Sequence, residues 1–198
     1  GELLPDGAHA ALALHGLKED RGAGVLCGKA LDDRACAAIV LKIMENLKGR
    51  ELSVNVCAML STQEEVGCRG ATVGAFSVAP DWAISIDVTH GNTPDAKKSE
   101  TLEIGGGPAV AVGPNINRAL ASSIFSVAER LDMKCQTEVL RGNSGTNAWP
   151  IQISRQGVAT AVVSLPLKYM HTPIETICLS DAGQIAELIT ELIISMDG

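Results

Sequence analysis

Two adjacent carboxylates, Glu64 and Glu65, stand where an apolar run ending at Leu60 gives way to a turn containing Gly67 and Gly70. Side chains alternate between the two faces of a strand. At a strand end that geometry relaxes, and neighbouring acids can serve one site in two roles. One can bind a metal while the other handles a proton. Two adjacent glutamates are more often a solvated turn. They gain weight here because three other segments share the form, an acid or a histidine at the end of an apolar run. These are Asp32-Asp33 after Leu26–Leu31, Asp87 in Ile-Asp-Val, and His171 in Tyr-Met-His-Thr-Pro.

Each has a bland alternative. Asp33 suits the cap of a helix, where Asp accepts free backbone N–H groups and favours the helix dipole. A single histidine in a loop is usually only a loop residue. Asp87 is harder to dismiss, because a buried lone carboxylate is costly unless it is paired or metal-bound. Three or four carboxylates and one imidazole form an oxygen and nitrogen donor set. It suits Zn²⁺, Co²⁺ or Mn²⁺ rather than a thiolate site. The surplus of acids over one metal's needs predicts two divalent ions sharing a bridging carboxylate, an arrangement that can activate water and polarise a carbonyl.

Such residues need a scaffold. Ile39, Ile43 and Leu47 recur four apart and predict a helix over 34–48, stopped by Gly49. Strands are predicted at 54–60, 82–88, 108–112, 135–140 and 158–165. Helices are predicted at 69–78, at 116–131, from about Thr146, and at 181–196, where Ile185, Leu188, Ile189, Leu192, Ile193 and Met196 share one face. Residues 89–107 read as loop. Strand–helix alternation predicts an α/β fold, a three-layer α/β/α domain with a mixed, mostly parallel sheet. Sites on such sheets lie off the carboxyl ends of strands. Residues 1–22, with His9, His15 and the charge run Lys18–Arg21, read as irregular, and 23–198 as the domain.

Bulk properties narrow the function. The net charge is −7 and aromatics are 3% of the chain, so nucleic acid is an unfavoured partner. No apolar run reaches the ~20 residues of a membrane helix, and the first residues lack a signal-peptide pattern. The six cysteines contain no Cys-x-x-Cys pair and sit mostly in apolar segments. They read as reduced, buried thiols, which together with the missing signal pattern predicts a cytoplasmic protein.

Taken together, Gly28-Lys-Ala-Leu-Asp-Asp-Arg34, Ser61-Thr-Gln-Glu-Glu-Val-Gly67, Ile86-Asp-Val-Thr-His90 and Tyr169-Met-His-Thr-Pro-Ile-Glu175 resemble the glutamyl and tetrahedral aminopeptidases. These are dinuclear metallopeptidases, some once described as endoglucanases. Gly145-Thr-Asn-Ala148 is similar to the family's Gly-Thr-Asp-Ala, with Asn147 in place of Asp. The resemblance implies a zinc-peptidase-like hydrolase that removes N-terminal residues from peptides. It implies Asp32 as bridging ligand, followed by a cis peptide to Asp33. Glu65 and His171 would complete one metal site, Asp87 would serve the other, and Glu64 would be the general base. Zn²⁺ is the first candidate for both ions, with Co²⁺ and Mn²⁺ next. The family also carries an upstream His-x-Asp motif and an insertion domain that helps build homo-oligomers. Neither is found here, so the chain is expected to be the catalytic C-terminal portion of a longer protein, with one three-ligand and one two-ligand metal site.

Two other functions compete. A glycoside hydrolase using Glu64 and Glu65 as acid and base would need no metal and would leave Asp32, Asp87 and His171 without a task. A non-catalytic metal-binding fragment would fold and bind metal without turnover. Metal analysis with activity on aminoacyl-anilides separates all three.

Overall fold

Every residue of the 181–196 stripe named above except Met196 is buried in the computed structural model, which describes residues 18–20 and 24–196. In chain order the elements are β1 (Lys18–Asp20), β2 (Val25–Gly28), α1 (Leu31–Leu47), α2 (Arg69–Val78), β3 (Trp82–His90), a 3-10 turn (Lys98–Glu100), β4 (Ala109–Val112), α3 (Arg118–Arg130), β5 (Gln136–Val139), α4 (Ala148–Ile151), β6 (Ala159–Lys168), β7 (Glu175–Cys178) and α5 (Leu179–Ser195). No helix among the described residues is long and apolar enough to cross a membrane.

The strands form one seven-stranded mixed sheet. β6 is its spine. It runs parallel to β3 from Ala159 to Leu167, and antiparallel to β4 and β7. β4–β5 is parallel, while β7–β2 and β2–β1 are antiparallel. Alternation along β6 divides the core. Ala161, Val163, Leu165 and Leu167 join the main cluster with α1, α3 and α5. Val162 faces the other side with Ala111 and Ala148, and a further cluster joins Ala71 and Ala75 of α2 to Ile151 of α4. The result is the expected α/β/α layering. β6 is buried on both faces and reads as a nearly continuous apolar run, as a strand covered by helices must.

Three local features depart from the sequence expectations. Residues 54–60 are not a strand: among the described residues no ladder partner pairs with them, although Leu52, Val54 and Val56 still pack onto the main core. β2 and β7 are strands that periodicity did not reveal, each only four residues long. Lys18–Asp20, expected to be irregular, pairs with Val25–Cys27 at the sheet edge. The rest of 1–22, including His9 and His15, lies outside the described residues.

α1 begins three residues before the predicted helix start at residue 34, with non-helical backbone at Asp32 and Asp33 and a cis peptide between them, as the resemblance implied. Its stripe buries Cys36, Ile39, Ile43 and Leu47 against the main core, α5 above all. That packing anchors the segment that carries both aspartates.

Candidate metal centre

Four connections bring the candidate residues together. Asp32 and Asp33 follow β2 at the irregular start of α1. Glu64 and Glu65 occupy the turn leading into α2. Asp87 lies on β3 close to its carboxyl end, and His171 sits between β6 and β7. The Glu64 turn is closed by Gly70, whose N–H donates to the Thr62 carbonyl at 2.9 Å. A Cβ at Gly70 would lie 2.5 Å from the Thr62 nitrogen, so only glycine permits this approach.

Two groups of ligand atoms result, each with its members within 4.8 Å of one another: Asp32, Glu65 and His171, and Asp32, Asp33 and Asp87. Asp32 belongs to both. His171 Nε2 is 3.0 Å from Asp32 Oδ2 and 3.5 Å from Glu65 Oε2. Among the described residues Asp32 Oδ2 is buried and has no hydrogen-bond partner of acceptable geometry, despite the nearby imidazole. A buried carboxylate oxygen left in this way needs a positive partner. A divalent cation among oxygen and nitrogen donors supplies one, and the donor set fits Zn²⁺, Co²⁺ or Mn²⁺.

The electrostatics point the same way. Burial, and then the neighbouring Asp33, Glu64 and Asp32 charges, push Asp87 up to about 8 against the hydrogen bond that Val88 N–H donates to it. Burial raises Asp33 to about 7, opposed by hydrogen bonds from Cys36. Asp32 rises to about 6 through burial and the Glu65 charge, partly offset by His171. Like-charged carboxylates so close cannot all ionise without a cation.

Glu64 belongs to neither group of ligand atoms. Its charge raises all three aspartates, and its Oε1 accepts the Cys68 thiol at 3.2 Å. Burial and Glu64 together push that thiol up to about 12, which keeps it protonated and donating.

Two residues carry more than their sequence reading. Asp33 was assigned only to a helix cap or the cis bond. It does accept Cys36 N–H at 3.2 Å where the regular helix resumes, yet it also faces Asp87. Glu175 had no role. It is 2% exposed, and its two oxygens accept the N–H groups of Asp32 (3.0 Å) and His171 (3.1 Å). One buried carboxylate therefore ties two ligand-bearing segments together. The signal available was its place four residues after His171, at the start of a strand too short to recognise. His90, three residues after Asp87, is exposed and is in neither group among the described residues. Asn147, at the family's Asp position, donates to Ser61 Oγ at 2.9 Å.

The chain is similar in sequence and fold to known aminopeptidases. The lysyl aminopeptidase of Pyrococcus furiosus is 39% identical over 159 residues, covering 80% of this chain and 44% of that protein. The TET aminopeptidase of the marine sediment archaeon Thaumarchaeota archaeon SCGC AB-539-E09 superposes with a TM-score of 0.82 at 30% identity, covering 87% of this chain and 50% of that one. Pyrococcus horikoshii TET1 peptidase, described as assembling into a tetrahedron or a large octahedral shell, gives 0.72 at 27% identity, covering 87% and 51%. The chain thus spans about half the length of the relatives it matches. The sequence pattern of the M42 glutamyl aminopeptidases matches residues 16–188, and the chain belongs to that family.

Proposed function

We propose that this chain carries the metal centre of an aminopeptidase, acting on the N-terminal residue of peptides. The observation that carries the reading is the shared position of Asp32 between two groups of possible ligands, with the Glu64 charge acting on both. Asp32, Glu65 and His171 would hold one divalent ion, and Asp32 and Asp87 the other. Bound there, the ions supply Lewis acidity toward a peptide carbonyl and lower the pKa of water. Glu64 takes the proton of the attacking water and returns it to the departing amine. Its position outside both ligand groups suits a residue that moves protons rather than binds metal. Glu175 holds the Asp32 and His171 backbones so that their side chains meet. Zn²⁺ is the proposed ion, a cytoplasmic site the proposed location, and a homo-oligomer the proposed state of the whole protein.

Metal analysis combined with hydrolysis of aminoacyl-anilides tests this. The expected result is bound Zn²⁺, Co²⁺ or Mn²⁺ and release of anilide that a chelator abolishes. Metal-independent cleavage of a glycoside would overturn it. Metal binding without turnover would assign these residues a metal-carrying role and place the remainder of the active site elsewhere in the protein.

A further inference from the structure

The turn that carries Glu64 and Glu65 closes on itself in successive layers. Gly70 N–H donates to the Thr62 carbonyl at 2.9 Å, and Arg69 N–H to that of Gln63 at 3.3 Å. The Glu64 carbonyl accepts two donors, Gly67 N–H at 3.0 Å and Cys68 N–H at 2.9 Å. These bonds fold position 68 back against position 64. Cys68 adopts a left-handed backbone conformation there, with φ 51° and ψ 35°. That region is uncommon for a residue with a Cβ, and one held in it by its surroundings is a place to look for function. Its side chain packs against the small cluster of Ala71, Ala75, Ile151 and Val158. Its carbonyl accepts both Thr72 N–H and Thr72 Oγ1 at 3.0 Å, which ties it to α2. Cys68 is also the cap residue of α2, yet its side chain makes no capping hydrogen bond. The thiol instead donates to Glu64 Oε1 at 3.2 Å, and among the described residues no other hydrogen bond reaches that carboxylate.

We infer that Cys68 is a positioning residue for Glu64: its thiol holds one carboxylate oxygen, so that the other is free to take and return the proton. The inference rests on the reading of Glu64 as the proton carrier. A glutamate has three side-chain torsions, the last of them broad, so an unheld carboxylate samples many orientations. Proton transfer requires it within hydrogen-bond reach of the water. A thiol suits the task because it is a weak donor. It restrains the carboxylate without competing strongly for its charge, whereas a lysine or arginine there would favour the ionised form and oppose proton uptake. Cys68 belongs to neither group of possible metal ligands among the described residues, so it acts through Glu64. Burial and the Glu64 carboxylate raise the thiol to about 12, which keeps it a donor.

Infrared spectroscopy and kinetics together test the inference, with circular dichroism confirming that each variant is folded. The difference spectrum between the unaltered chain and Cys68→Ser isolates the Cys68 S–H stretching band. Glu64→Ala should move that band to higher wavenumber, because the thiol loses its acceptor. A band that stays in place would overturn the contact, and it is read without turnover, so it decides even for a chain that cleaves nothing. In the Zn²⁺-loaded protein, Cys68→Ala should lower kcat for an aminoacyl-anilide by about tenfold, the order expected for a misplaced rather than a missing group. KM and Zn²⁺ affinity should stay unchanged. Cys68→Ser, which keeps a donor, should restore most of the loss. Full kcat in Cys68→Ala, or a serine variant no better than alanine, would overturn the positioning role and leave Cys68 a packing residue. A Glu64→Gln protein as fast as the unaltered one would instead overturn the reading of Glu64 as base, and the role of Cys68 with it.

Discussion

The two halves of the candidate metal centre share Asp32 but balance charge differently. On the outer side, His171 and Glu65 are 66% and 56% exposed in their side chains, and an imidazole faces two carboxylates. On the inner side, Asp32, Asp33 and Asp87 are all carboxylates, with Asp87 only 7% exposed. The outer half can hold its shape without metal, because water and a histidine are at hand. The inner half must take up protons or a cation. If each half takes an ion, as proposed, the two should bind in separate events, each answering to its own surroundings.

The sharpest division is between Glu64 and Glu65. Glu64→Gln should lower turnover of the metal-loaded protein by roughly 10²–10⁴-fold, the worth of a positioned proton transfer, with metal content unchanged. Glu65→Gln should lose metal from the outer half. Equal metal loss in both variants, measured by atomic absorption after gel filtration, would merge the two roles.

Glu175 spans the boundary through the backbone of both ligand segments. Glu175→Ala should weaken Zn²⁺ binding by about 10–100-fold, as loss of an outer-shell partner does. Glu175→Gln, which keeps an acceptor oxygen, should recover part of the loss. Competition with a chromophoric chelator reads this directly, and unchanged affinity in the alanine variant would show that other contacts hold the loop.

The inner half also predicts a pH dependence for the metal-free chain. Asp32, Asp33 and Asp87 are raised from 3.8 to about 6, 7 and 8. The folded form therefore keeps protons that the unfolded form releases. Their contribution is complete below about pH 4, falls progressively above it, and is gone once pH has passed the folded values of about 6, 7 and 8, at no more than about 1.4 kcal/mol per pH unit for each group. Urea unfolding should show stability from these groups falling across that window, and a bound divalent ion should remove the fall. Metal-free stability that rises from pH 5 to 8 would mean that the inner carboxylates stay ionised.

A change remote from both halves calibrates the rest. Asn117 Oδ1 caps α3 by accepting Leu120 N–H at 3.0 Å. Asn117→Ala should cost about 1 kcal/mol in denaturant unfolding and leave Zn²⁺ affinity unaltered. A change in affinity would mean that metal binding merely tracks global stability.

What could be read from the sequence follows how local its cause is. α2 spans the residues its sequence predicts, before the stop at Pro80, and α5 starts two residues early, its apolar stripe visible within one segment. Asp32, Glu65, Asp87 and His171 could be named because each ends an apolar run within a recognisable motif. β7 was hidden because Glu-Thr-Ile-Cys is too short to display a period. Glu175 was hidden with it, because its partners are backbone N–H groups, one of them 143 residues away. Residues 54–60 have a strand's alternation but no ladder among the described residues, since a strand exists only with a partner. Asp33 was read as a cap because a cap is a local property, and its approach to Asp87 is not.

The central claim is that Asp32 serves both halves. Calorimetric titration of the metal-free chain with Zn²⁺ tests it most directly, with circular dichroism confirming that each variant is folded. The unaltered chain should show one tight event, at Asp32–Glu65–His171, and one weaker event. Glu65→Ala should lose only the tight event, Asp87→Ala only the weak one, and Asp32→Ala both. A folded Asp32→Ala variant that retains either event at full affinity would contradict the shared-ligand account.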